Sequence, residues 1–137
     1  WWAATGHGAW LQVRGEAARS IRVSAVDDLA DATLSYNNLK GWDEAGRTEQ
    51  LLGLSRAVGR TRAFGDLWSY MLLAEGAIDI SGEFDMKPWD IAALVPIIRE
   101  AGGTATNAEG DDRLDTGSIL ATNGMLHAAV LQKVAVR

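Results

Sequence analysis

At 137 residues the chain is about the size of one domain, and a composition of 47% hydrophobic and 23% charged residues is that of an ordinary globular protein able to bury a core. A formal net charge of -5, with no cluster of Lys and Arg, argues against nucleic acid or an anionic membrane surface as a partner. The absence of Cys excludes a disulfide framework and thiolate chemistry and agrees with a cytoplasmic origin, and the longest apolar run, Ile91 to Ile98 with Pro96 inside it, is too short to span a bilayer.

The first residue is Trp rather than Met and opens within a strand pattern, which predicts a portion of a longer protein; the opening residues themselves lack the basic-then-apolar pattern of a signal peptide. Trp1 to Ala4 and Ala9 to Val13 flank Thr5-Gly6-His7-Gly8 and read as a β-hairpin with a glycine turn. Gly6-x-Gly8 lacks the third glycine and the helix of a dinucleotide fingerprint, and His7 reads as an exposed turn residue rather than a ligand. Ser20 to Ser24 alternates as a short strand does, and Asp27 and Asp28 open a helical turn with acids at its positive end. Ala32 to Tyr36 is the next strand. Asn37 and Asn38 then begin a polar loop, at the kind of strand end where layered α/β folds meet ligands, so a substrate contact is weighed there against a plain turn.

From Asp43 to Gly59, Leu51, Leu52, Leu54, Ser55 and Val58 fall at helical spacing, with Glu44, Arg47, Glu49 and Arg56 on the wet face. Arg60 to Phe64 is a short strand, and Gly65-Asp66-Leu67-Trp68 turns from it into a helix running to Glu75 and Gly76, an arrangement whose free N–H groups suit an anion. Ala77 to Ile80 is a further strand. Asp90 stands where the apolar run begins, and its carboxylate can cap the helix or face a cation. Ile91 to Ile98 offers no polar face, which predicts a helix covered on most sides and ended by Gly102 and Gly103. Thr104 to Thr106 and Ser118 to Thr122 are the last strands, around a surface excursion at Asn107 to Gly117. A final helix at Met125 to Val134 turns Leu126, Val130 and Val134 inward and leaves His127 on the surface. The fold class predicted is α/β: one layered helix and sheet domain with a mostly parallel sheet, plus an N-terminal β-hairpin.

Trp89-Asp90-x-Ala92-Ala93, followed by Glu100-Ala101-Gly102-Gly103, resembles the second signature of the inositol monophosphatase family of magnesium-dependent phosphatases. Gly6-x-Gly8-Ala9-Trp10 is also familiar there, and the Leu94-Val95-Pro96 form of the helix is similar to members that act as histidinol-phosphate phosphatases. The resemblance covers roughly the second half of the family's chain, and implies that residues 1–137 are its C-terminal domain with the N-terminal half absent. It implies that Asp90 is a ligand to Mg2+, that Glu83 is a substrate-contacting carboxylate, and that Gly65, Asp66 and Leu67 form part of the substrate pocket. The implied reaction is metal-assisted hydrolysis of a small phosphate monoester, which needs several oxygen ligands. The family's Glu-rich segment and its Asp-Pro-x-Asp-Gly-Thr signature are not in this chain, so no complete catalytic set is expected and the chain alone is expected to be inactive. A homodimer, common in the family, is also implied, and six Trp in the chain predict an exposed apolar surface.

Asp66 departs from the inositol-directed members, which carry a small or hydroxyl residue after the glycine; an N-cap role for it stays open. Together Asp66 and Glu83 would set negative charge beside a bound ester, which suits a cationic leaving group such as that of L-histidinol phosphate better than neutral inositol. The alternatives are an inositol-1-monophosphatase or broader small-molecule phosphatase, or a non-catalytic module that stands alone and binds a partner.

Overall fold

A computed structural model describes residues 1–113 and 115–135. The N-terminal strands pair as expected: β1 (Trp2–Ala3) lies antiparallel to β2 (Ala9–Leu11), across a turn in which Gly6 and Gly8 adopt φ of 77° and 75°. The next strand, β3 (Arg19–Ile21), joins this small sheet rather than the main one. Glu100 fastens the hairpin to the body of the domain, because its carboxylate accepts the backbone N–H groups of Gly6 and Gly8, both at 2.9 Å. The two motifs read separately in the sequence therefore meet in space.

The main sheet holds β4 (Thr33–Ser35), β5 (Arg60–Arg62), β6 (Ile80–Phe84), β7 (Thr104–Thr106) and β8 (Ser118–Thr122), in the order β5-β4-β6-β8-β7. The layered α/β domain is as predicted, but the sheet is mixed rather than mostly parallel. β4 runs parallel to β5 and β6, whereas β8 is antiparallel to both β6 and β7. The reason is connectivity: β6 and β7 are linked through helices and run in one direction, while β8 returns by a loop and inserts between them in the other.

The helices are α1 (Leu39–Glu44), α2 (Thr48–Ala57), α3 (Asp66–Ala74), α4 (Pro88–Ile91), α5 (Leu94–Glu100) and α6 (His127–Val134). One core packs Leu34, Ile80 and Leu120 of the sheet against Trp42, Leu51, Leu54, Val130 and Val134, so α1, α2 and α6 cover one face. The other packs Ile119 and Ala121 against Tyr70, Leu73, Ile91, Leu94 and Ile98, with Ala9, Leu11 and Ile21 of the small sheet beside them. Side chains alternate between the faces along each strand. On β6 this puts Ser81 and Glu83 on the α3 side.

Five helical expectations need correction. The helix read from Asp43 to Gly59 is divided at Gly46, whose φ of 68° ends α1. Arg47 then turns inward, donating to the Val134 carbonyl (2.7 Å) and to Glu109 (2.9 Å), with its guanidinium 5.8 Å from the centre of the Phe84 ring. The apolar run from Ile91 is also broken, since Pro96 has no N–H to offer the carbonyl four residues back. It is covered on one side only: Leu94, Val95, Ile97 and Ile98 are buried, but Ala92, Ala93 and Pro96 are exposed. Finally, His127 is buried, 3.1 Å from Thr106 Oγ1 and 3.2 Å from Thr122 Oγ1. The loop from Asn107 is likewise partly internal, since Asn107 Oδ1 accepts from the backbone of Glu109 and Asp111; Leu114, within it, lies outside the described residues.

Candidate functional site

β4 lies between β5 and β6, and the helices that follow β4 and β5 cross opposite faces of the sheet. This is a topological switch point, where loops at the carboxyl ends of strands splay apart and leave a crevice. Three loops meet there: Tyr36 to Asn38 after β4, Ala63 to Gly65 after β5, and Asp85 to Lys87 after β6. Among the described residues the non-glycine positions with left-handed backbone are Asn37 (φ 55°), Asp66 (φ 52°) and Asp85 (φ 64°), one at each of these junctions. Asn and Asp tolerate this conformation best among side-chain-bearing residues, and its concentration around one crevice is typical of a functional site.

Glu83 sits at the centre, near the end of β6 rather than in the loop beyond it, and is 9% exposed. Its Oε1 accepts from Asn37 Nδ2 at 2.7 Å and from the Tyr70 hydroxyl at 2.8 Å. Behind these, Ser35 Oγ donates to Asn37 Oδ1 (2.7 Å) and Ser81 Oγ donates to Ser69 Oγ (2.9 Å). Burial is the largest influence on the Glu83 carboxyl and raises it above the usual carboxylate range; the bonds from Tyr70 and Asn37 oppose the rise, and the charges of Asp66 and Asp90 add to it. Tyr70, Ser35, Ser69 and Ser81 were not singled out in the sequence. The available signals were Ser69 inside an apolar helix, and Ser81 and Glu83 two apart on one strand face.

Two open clefts share Asp66 and Glu83 as walls. One, of about 520 Å³, is lined by Tyr36, Asn37, Asn38, Leu39 and Gly65; the other, of about 530 Å³, by Leu67, Met86, Trp89, Asp90 and Leu94. The structure thus brings Gly65, Asp66, Leu67, Glu83 and Asp90 to one crevice. Grooves of about 460 Å³ beside Arg47 and about 540 Å³ beside Glu100 are of similar size, so volume does not choose among them. Chemistry does. Both Glu100 oxygens are taken by backbone N–H groups, whereas the Asp66 carboxylate accepts no hydrogen bond among the described residues.

The capping readings of both acids are changed by the structure. Gly65, not Asp66, stands at the N-cap of α3, and the Asp66 side chain caps nothing. Asp90 lies in the first turn of α4 rather than at its cap, where its Oδ2 accepts from the Lys87 backbone N–H at 3.1 Å. Asn38, in contrast, caps α1 by accepting from Lys40 N (3.0 Å), which accounts for it without a ligand. Gly65 has an ordinary φ, and a Cβ built on it meets nothing within 4 Å, so the fold itself does not demand glycine there.

Among the described residues, no group of three or more His, Asp or Glu side chains is placed to hold a metal ion. Asp90 by itself does not fit Mg2+, which takes near-octahedral oxygen ligation. Among the described residues no helix is long and apolar enough to cross a membrane.

Comparison with known proteins identifies the family and the fold. The chain is 46% identical over 134 residues to a histidinol-phosphatase of Mycobacterium tuberculosis, covering 98% of this chain and 52% of the relative. It is 44% identical to a histidinol-phosphatase of Streptomyces coelicolor, covering 96% of this chain and 49% of that one. An IMPase from Thermotoga maritima superposes with a TM-score of 0.78 at 25% identity, over 96% of this chain and 49% of that structure. The chain therefore spans about half the length of the curated relatives it matches. With residues 1–136 matching the family model as well, the chain belongs to the inositol monophosphatase family.

Proposed function

We propose that this chain is the C-terminal part of a magnesium-dependent phosphomonoesterase that hydrolyses L-histidinol phosphate. The observation that carries the substrate is the pairing of Asp66 and Glu83 on the shared wall of the two clefts, each with carboxylate oxygen that has no partner among the described residues. A bound amine or imidazolium can make charge-assisted hydrogen bonds to both, roughly twice as strong as neutral ones, while a neutral polyol leaves two negative charges uncompensated. The relatives in Mycobacterium tuberculosis and Streptomyces coelicolor, both histidinol-phosphatases, support the same substrate.

In this reading Asp66 and Glu83 hold and orient the cationic end of the ester, and Leu67 and Trp89 give the adjoining cleft an apolar wall. Asp90 contributes one carboxylate to the magnesium site, whose remaining ligands come from a segment outside this chain. The 137-residue chain alone is accordingly inactive. A second reading, a non-catalytic binding module, draws support from the lack of a complete metal-ligating group among the described residues. An Asp66→Asn variant of the complete enzyme tests the substrate assignment. Its ratio of kcat/KM for L-histidinol phosphate to that for inositol 1-phosphate is expected to fall about tenfold, as loss of one charged contact predicts. An unaltered ratio refutes the assignment.

A further inference from the structure

The hydrogen bonds around Glu83 have a fixed direction, which starts in the backbone. Phe64 N–H donates to Ser35 Oγ (3.2 Å), whose own hydrogen goes to Asn37 Oδ1 (2.7 Å). With its oxygen engaged, Asn37 presents its amide N–H to Glu83 Oε1. From the opposite side comes Tyr70, 0% exposed, whose phenol is raised well above its usual range by burial first and then by the Glu83 charge, so that its O–H stays a donor. Oε1 is thereby filled from within the protein. Oε2 has no partner among the described residues, and Glu83 faces both clefts.

We propose that Asn37 and Tyr70 are positioning residues that clamp Oε1 of Glu83 and aim Oε2 at the cationic end of the ligand. This rests on the reading of the site given above and names how its selectivity is built. A carboxylate held by one oxygen keeps a single rotamer and offers one acceptor atom, a geometry suited to one N–H donor of an ammonium or imidazolium. The clamp also ties the two acidic elements together. Phe64 immediately precedes Gly65 and Asp66, so a displacement after β5 is felt at Glu83 through Ser35 and Asn37.

The test uses the complete enzyme, NMR, and L-histidinol as the probe, with myo-inositol as the neutral control. Tyr70→Phe removes one hydroxyl from a fully buried ring, and Asn37→Gly keeps the left-handed φ of 55° free of strain. In the wild type the Hα–Hβ couplings of Glu83 report one rotamer, and L-histidinol shifts its carboxyl carbon while myo-inositol does not. Both variants are expected to average those couplings and to weaken L-histidinol binding about tenfold, as loss of one hydrogen bond to a charged group predicts. Unchanged couplings in both variants overturn the positioning role. Averaged couplings with unchanged affinity overturn the aiming of Oε2. A single wild-type rotamer with no response to L-histidinol defeats the cation-binding reading of the site, and this inference with it.

Discussion

Gly102 and Gly103, adjacent in the family signature, serve different physical ends, and replacing each with Ala separates them. Gly102 has a φ of 90°, and a Cβ on it meets only Val23 Cγ2 at 3.8 Å, so the cost of Ala there is conformational, about 1 kcal/mol. A Cβ on Gly103 comes to 2.7 Å from the Thr122 carbonyl oxygen, 2.8 Å from Ile98 Cγ2 and 3.0 Å from Val23 Cγ1. Neither side can retreat easily: Thr122 is paired with Ile80 and with Thr104 in β8, and Ile98 is completely buried. Overpacking of this kind costs about 2–3 kcal/mol. At about 4 °C per kcal/mol for a domain of this size, Gly103→Ala should lower Tm by about 10 °C and Gly102→Ala by about 4 °C. Thermal and urea unfolding followed by Trp fluorescence measures both. A Gly103→Ala protein no less stable than the Gly102→Ala protein would refute the packing argument.

Three further outcomes follow from the structure. Asp90→Asn in the complete enzyme should reduce the rate and the apparent magnesium affinity at least about tenfold, because an amide is a poorer ligand for a hard cation; Tm should hold, since the Lys87 N–H keeps an oxygen acceptor, and a normal magnesium dependence would return Asp90 to a purely structural role. The isolated chain should self-associate through the side that exposes Leu67 (53%), Trp68 (60%) and Trp89 (77%), so light scattering that finds only monomer at high concentration would contradict it. Burial holds the His127 imidazole below its usual range, so the unfolded chain takes up its proton first; the stability contributed is fully present above about pH 6.5 and is lost as pH falls toward the folded value. The Tm difference between wild type and His127→Gln should therefore narrow from pH 7.5 to 5.5, and a constant difference would count against a buried neutral histidine.

How much of this was legible in the sequence depended on whether the signal was local. Strand and helix periodicity placed most elements because it reflects which side chains face a core. Pairing partners are not local, so the sequence does not show that β3 joins the small sheet or that β8 inserts antiparallel between β6 and β7. Residue chemistry carried further than geometry at the crevice. The resemblance to the family marks Asp66, Glu83 and Asp90, and the fold sets all three around one crevice. Tyr70 gave no comparable signal, because an aromatic in an apolar helix looks like core until the strand opposite is known to carry Glu83. His127 failed for the same reason: its partners, Thr106 and Thr122, belong to strands distant in the chain or paired only in the fold.

The central claim is that the acidic crevice selects a phosphate ester with a cationic leaving group. It is tested most directly by measuring kcat/KM of the wild-type complete enzyme for L-histidinol phosphate and inositol 1-phosphate under identical magnesium concentration, pH and ionic strength. Two charge-assisted contacts at the ligand's far end predict a preference for L-histidinol phosphate of about a hundredfold. Equal values, or a preference for inositol 1-phosphate, would contradict the account.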